Sequence, residues 1–195
     1  MKIKIHKIIV LCLLQLISNV SMSAPINKIG SPYNKGYIIY SKFVFSGKRK
    51  YDMELTWYFD QTQINWDELS ELYRIAPLST KPPDFFKLVF SNSKFKCFVY
   101  HENLLVGAGR GLADGKDCSY LCDIAVHPDY QGHGLGKEIV QKLVKLSEGH
   151  RKIILYANPG KEGFYAKLGF KKMNTAMAIF QNEAEMLESG VISEP

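Results

Sequence analysis

Between residues 51 and 182 the spacing of apolar positions changes several times, and each change marks an element. Residues 53–59 are apolar and aromatic enough for a strand buried in a sheet. Asn65 can then cap a helix whose Trp66, Leu69, Leu72 and Tyr73 recur at helical spacing. Lys81, Pro82 and Pro83 close that region, and Pro83 with Asp84 starts a second helix over 85–90. Strands over 95–100 and 104–110 flank the turn 101–103, and a second turn at 113–115 leads into a strand over 119–126. His127, Pro128 and Asp129 turn the chain there. Gly132, Gly134 and Gly136 follow, two apart, and Ile139, Val140, Leu143, Val144 and Leu146 form a one-sided stripe that predicts a helix ending near Gly149. A strand over 153–156, a helix over 161–168 and a closing strand or hairpin over 171–180 complete the pattern. The order β-α-α-β-β-β-α-β-α-β predicts an α/β fold, a mixed sheet with helices packed on it.

Upstream, residues 1–23 have the three parts of a secretory signal: Lys2, Lys4 and Lys7, then an apolar run over 8–17 broken only by Gln15, then small polar residues. An upstream extension that never acts as a signal is the other reading. Residues 24–50 carry Pro, Gly, Asn and Lys without a helical period and read as a basic linker or arm. The domain is expected over 51–182, with a tail over 183–195.

Charge sharpens this division. The 195 residues have a formal net charge of +6, yet residues 1–50 hold nine Lys or Arg and no acid, which leaves residues 51–195 at −3. The basic character belongs to the arm, which argues against a nucleic-acid partner for the folded part. Cys118 and Cys122, four apart on one strand, would stand roughly 13 Å apart and cannot pair while it is extended. No Cys-x-x-Cys or His pair offers zinc-ligand spacing, so no metal is expected.

The glycines carry the chemistry. A strand, a glycine-rich loop and a helix start place unpaired backbone N–H groups and a positive dipole end together, a combination that suits a phosphate. Two nucleotide signatures fail on spacing. A P-loop needs Gly-x-x-x-x-Gly-Lys followed by Ser or Thr, whereas position 131 is Gln131 and Lys137 precedes Glu138. The dinucleotide fingerprint needs Gly-x-Gly-x-x-Gly early in its fold, and this loop is Gly-x-Gly-x-Gly and late.

Gln131-x-x-Gly134-x-Gly136 remains, and with it the sequence resembles the GNAT superfamily of acyl-CoA-dependent N-acetyltransferases. Two segments in order carry the resemblance, DIAVHPDYQGHGLGK over 123–137 and NPGKEGFYAKLGF over 158–170. They look most like small bacterial members and the plastid serotonin-type enzymes. The resemblance implies a mostly antiparallel central sheet flanked by helices, with acyl-CoA in the split between the fourth and fifth core strands. It also assigns residues. Backbone amides of Gln131, Gly132, His133, Gly134, Leu135, Gly136 and Lys137 would hold the pyrophosphate of acetyl-CoA, with Lys137 adding charge. Ile124, Ala125 and Val126 would pair with the pantetheine arm, the N–H near Val126 stabilising the oxyanion, and Asn158 would contact the cofactor across the split. Tyr165 stands where the family keeps an acid for the departing thiolate; as an ordinary residue it would be a core aromatic beside Phe164 and Phe170.

The general base is open. Asp123 either faces inward, to hold or deprotonate the substrate ammonium, or solvates a strand edge. Tyr120 and Cys122 occupy the positions where animal arylalkylamine enzymes keep histidines, and His127 and His133 read as turn and loop residues. The resulting expectation is acetyl transfer from acetyl-CoA to a small primary amine in a ternary complex, by a monomer or homodimer. A non-catalytic acyl-CoA-binding module and an exported binding protein are the other readings. Acetyl-CoA and unpaired thiols favour cytoplasmic action; residues 1–23 favour export.

Overall fold

A computed structural model describes residues 38–44, as backbone only, and residues 52–194, with side chains from Glu54 onward. The signal-like segment 1–23 and the rest of the expected arm lie outside the described residues. The strands are β1 (Ile38–Val44), β2 (Asp52–Tyr58), β3 (Phe95–His101), β4 (Leu104–Ala113), β5 (Cys118–Val126) and β6 (Lys152–Ile154). They form one six-stranded sheet in sequence order. Every neighbouring pair is antiparallel except β5 and β6. This is the mixed, mostly antiparallel sheet flanked by helices that the sequence predicts. The segment read as an arm contributes β1, which covers the edge of β2 from Ile38 opposite Tyr58 to Val44 opposite Asp52.

Period-two alternation feeds two cores, one on each face of the sheet. Leu55, Trp57, Cys97, Val99 and Leu121 point to one face, where helix α3 (Leu135–Leu146) seals them with Leu135, Ile139, Val140 and Leu143. Phe98, Tyr100, Leu105, Ala108 and Ala125 point to the other, under α1 (Trp66–Ile75) and α2 (Pro83–Ser91). Asn65 caps α1 as expected, its side chain accepting from the Asp67 and Glu68 amides. Helices α4 (Glu162–Ala166) and α5 (Glu183–Glu188) are short.

Two bulges break the alternation. One shifts the β3–β4 register between Val99 and Tyr100; the other shifts β4–β5 between Ala108 and Arg110, where Ala108 faces Ala125 but Arg110 faces Cys122. The second leaves one more residue on β5 than on β4, and Asp123 takes a left-handed φ of +53° there. Side chains of Ser119 and Leu121 point toward α3 before the bulge; after it Ile124 and Val126 do.

The expected strand over 171–180 does not form: the segment is irregular, and Met177 and Ile179 are fully exposed. Its apolar residues supply β propensity, but a strand also needs a neighbour's ladder. β6 supplies only three residues of pairing. It is likewise shorter than the expected 153–156, because its ladder with β5 stops where Ile154 faces Tyr120.

Phe90, fully buried, lies 5.1 Å from Phe98 and 6.4 Å from Tyr73 between ring centroids. Phe90→Ala should cost about 3–5 kcal/mol in urea-induced unfolding, the range for emptying an aromatic site in a core.

Candidate active site

The pairing of β5 with β6 begins at Cys118 opposite Lys152 and ends at Tyr120 opposite Ile154. Beyond that point the strands part, and a cleft of about 960 Å³ opens between them. On the α3 side the cleft is lined by Ile124, Val126, Gln131, Gly132, Gly134, Gly136, Lys137, Asn158, Phe164 and Tyr165. On the opposite side it reaches Tyr73, Leu78, Phe85, Phe86, Arg110, Tyr120, Cys122, Asp123 and Tyr156. The cleft therefore passes through the sheet from one face to the other.

Backbone phase explains what the β5 edge presents. The His127 N–H donates to the Val106 carbonyl at 2.9 Å, so residue 127 faces β4. By alternation, residue 125 faces β4 as well, and the peptide groups of Ile124 and Val126 face the split. The Val126 carbonyl accepts from Gln131 Nε2 at 3.0 Å, which ties the start of the glycine loop to the strand. Ala125 turns its side chain into the core under α1 and α2.

Gly134 is the N-cap of α3, with a φ of +93° and no side chain to cap the helix. The first helical amide bonded back is Glu138, 3.1 Å from the Gly134 carbonyl, so the amides of Leu135, Gly136 and Lys137 have no partner within the helix. Gly132 has a φ of +77°, and a Cβ placed on it would meet nothing within 4 Å. Glycines meet the left-handed geometry and keep the approach to these amides open. The Leu135 side chain is core, 2% exposed; His133 is exposed and does not line the cleft. His127 belongs to the turn, its Nδ1 accepting from the Asp129 amide at 3.3 Å.

Tyr165 is half-buried, with ring centroids 5.0 Å from Phe164 and 6.0 Å from Phe170, both edge-on. Burial raises its phenol above the ordinary value. Asp123 faces the cleft and is ion-paired with Arg110, whose side chain is 13% exposed. Burial is also the main cause of the Cys122 thiol being pushed up to about 12 and of the Tyr120 phenol being raised. Tyr120 stacks on Tyr156 at 6.1 Å.

Arg110, Tyr73, Phe85, Phe86 and Tyr156 are cleft residues that sequence reasoning missed. Tyr73 read as one more apolar position of α1, and Arg110 as the end of a strand. The expected turn at 113–115, beyond Arg110, was the one available signal that its strand continues past it. Among the described residues no group of three or more His, Cys, Asp or Glu side chains could hold a metal ion, and no helix is long and apolar enough to cross a membrane.

Residues 59–170 match the family model described as Acetyltransferase (GNAT) family. An uncharacterised ycf52-like N-acetyltransferase from Prochlorococcus marinus is 30% identical over 124 residues, covering 60% of this chain and 69% of that protein. The ycf52 protein of Porphyra purpurea, also an uncharacterised N-acetyltransferase, is 33% identical over 115 residues, 56% of this chain and 66% of its own length. A probable acetyltransferase of unknown function from Meticillin-Resistant Staphylococcus aureus superposes with a TM-score of 0.59 at 23% identity, covering 65% of this chain and 97% of that one. At that identity the likeness concerns the fold. The profile match spans more than half of the chain and encloses both the split and the glycine-opened helix. The chain belongs to the GNAT family and is an N-acetyltransferase of that family.

Proposed function

We propose that the protein transfers the acetyl group of acetyl-CoA to a small primary amine by direct attack in a ternary complex, within a domain over 51–182 that also draws on β1. The observation that carries this reading is the cleft itself, which joins uncapped helix amides, a strand edge beyond the end of its ladder and a half-buried phenol across the sheet. Acetyl-CoA would lie between β5 and β6, the fourth and fifth strands when edge strand β1 is left out. The amides of residues 131–137 would take the pyrophosphate, with Lys137 beside them and Asn158, beyond the end of β6, contacting the cofactor across the split. The peptide groups of Ile124 and Val126 would extend the sheet onto the pantetheine arm, and the Val126 N–H would meet the oxyanion. The amine would enter past Leu78, Phe85, Phe86 and Tyr156. The ammonium first loses one proton to solvent; its nitrogen then forms the amide bond as the C–S bond breaks, Tyr165 gives its proton to the departing thiolate, and the second proton released by the nitrogen returns through water to Tyr165. Asp123, held by Arg110 at the cleft, would attract the ammonium.

The Cys122 thiol supports direct transfer over an acetyl-cysteine intermediate, because almost none of it is thiolate at neutral pH. At pH 8 iodoacetamide should label Cys122 at least about 100-fold more slowly than a free thiol, as followed by peptide mass spectrometry.

Two kinetic outcomes test the reading. Tyr165→Phe should lower kcat for amine-dependent release of CoA thiol about 100-fold. Because burial raises the phenol, the alkaline limb of kcat that depends on Tyr165 should lie above pH 10. Stoichiometric acetyl-CoA binding without turnover over a broad amine panel, and no effect of Tyr165→Phe, would leave only a binding module. Lys137→Ala should raise the KM for acetyl-CoA about tenfold, the weight of one charge-assisted contact, with kcat within about twofold.

A further inference from the structure

The left-handed residue in β5 is Asp123, not a glycine, and it is tethered at two points. Tyr73 Oη donates to its backbone carbonyl, and Arg110 Nε donates to its carboxylate. Each tether is immobilised in turn. Tyr73 is 1% exposed, with its ring stacked on Phe86 at 4.5 Å. Arg110 Nη1 donates to Ser93 Oγ at 3.2 Å, and Ser93, 4% exposed, donates to the Val89 carbonyl at 2.7 Å. The bulge is thus connected to α1 through one tether and to the end of α2 through the other. Neither contact is needed to make the sheet. A partly buried ion pair is a weak source of stability, so the pair is better explained by the geometry it holds.

That geometry decides the phase of β5. The extra residue at the bulge turns the side chains of Ile124 and Val126 toward α3 and their peptide groups into the split. Without it the strand would continue in register, and the residues after 123 would exchange faces. We propose that Arg110 and Tyr73 are positioning residues that lock the left-handed Asp123 bulge, and so hold the Ile124 and Val126 peptide groups where they face the reacting thioester. The inference rests on the acetyl-transfer reading for its catalytic consequence and on geometry alone for the lock itself.

The test uses the full chain and four proteins: wild type, Tyr73→Phe, Arg110→Met and Arg110→Lys. Tyr73→Phe removes one hydroxyl and leaves the ring stack, so it keeps the test open if Arg110→Met fails to fold. Hydrogen exchange of a peptide spanning residues 121–127 should accelerate at least about tenfold in Tyr73→Phe and Arg110→Met, with peptides from β3 unchanged. In the same two variants kcat should fall at least about tenfold while CoA, measured by calorimetry, binds within about threefold of wild type, because its pyrophosphate amides lie on α3. Arg110→Lys, which keeps the charge without the planar fork, should recover part of both effects. Unchanged exchange over 121–127 in both variants would overturn the lock. A wild type that acetylates no amine, with exchange still accelerated in the variants, would support the lock and remove the acetyl-transfer reading instead. A loss of melting temperature with normal kcat per folded molecule would reduce both residues to ordinary packing and overturn the proposal.

Discussion

The ladder between β5 and β6 stops after three residues, and the site depends on that interruption. A continuous parallel pair would satisfy the β5 edge with protein and leave no gap. Among the described residues no strand pairs with the edge of β5 facing the split from residue 121 onward, and there the Val126 carbonyl instead accepts from Gln131 Nε2. Buried backbone groups require partners, so an open edge at the centre of a domain is a place where a ligand completes the hydrogen-bonding pattern.

Other features follow from this gap. The glycine loop must cross from the end of β5 to α3 at the mouth of the split, which brings the helix start and its uncapped amides to the cleft. α4 follows β6 and returns Tyr165 to the same opening, where its ring packs edge-on against Phe164 and Phe170 and burial raises its phenol. On the far face, α1 and α2 close the cleft with Leu78, Phe85 and Phe86 while Tyr73 reaches through to the bulge. The two cores are thus also the two walls of the site.

Asp123 illustrates how one residue can serve fold and site together. As a short polar residue it tolerates a left-handed backbone better than most, and its carboxylate gives Arg110 a partner at the same point. The pairing anchors the carboxylate at the bulge.

The sequence determined the element order, the helix stripe that seals one core, and the loop whose glycines and helix start specify an anion-binding junction. These are local properties, carried by periodicity and by residue types at fixed spacing. It was also enough to bring Gln131, Gly134, Gly136, Lys137 and Tyr165 into one hypothesis, because two short segments carry them. The tertiary structure alone decided the rest. Whether residues 171–180 pair depends on a neighbouring edge, and whether 38–44 is arm or strand depends on β2. Arg110 and Tyr73 lie 13 and 50 residues from Asp123 in sequence and meet it only across β4 and α1. The bulge that orients the site is a mismatch between two strands, and no single stretch of sequence contains it.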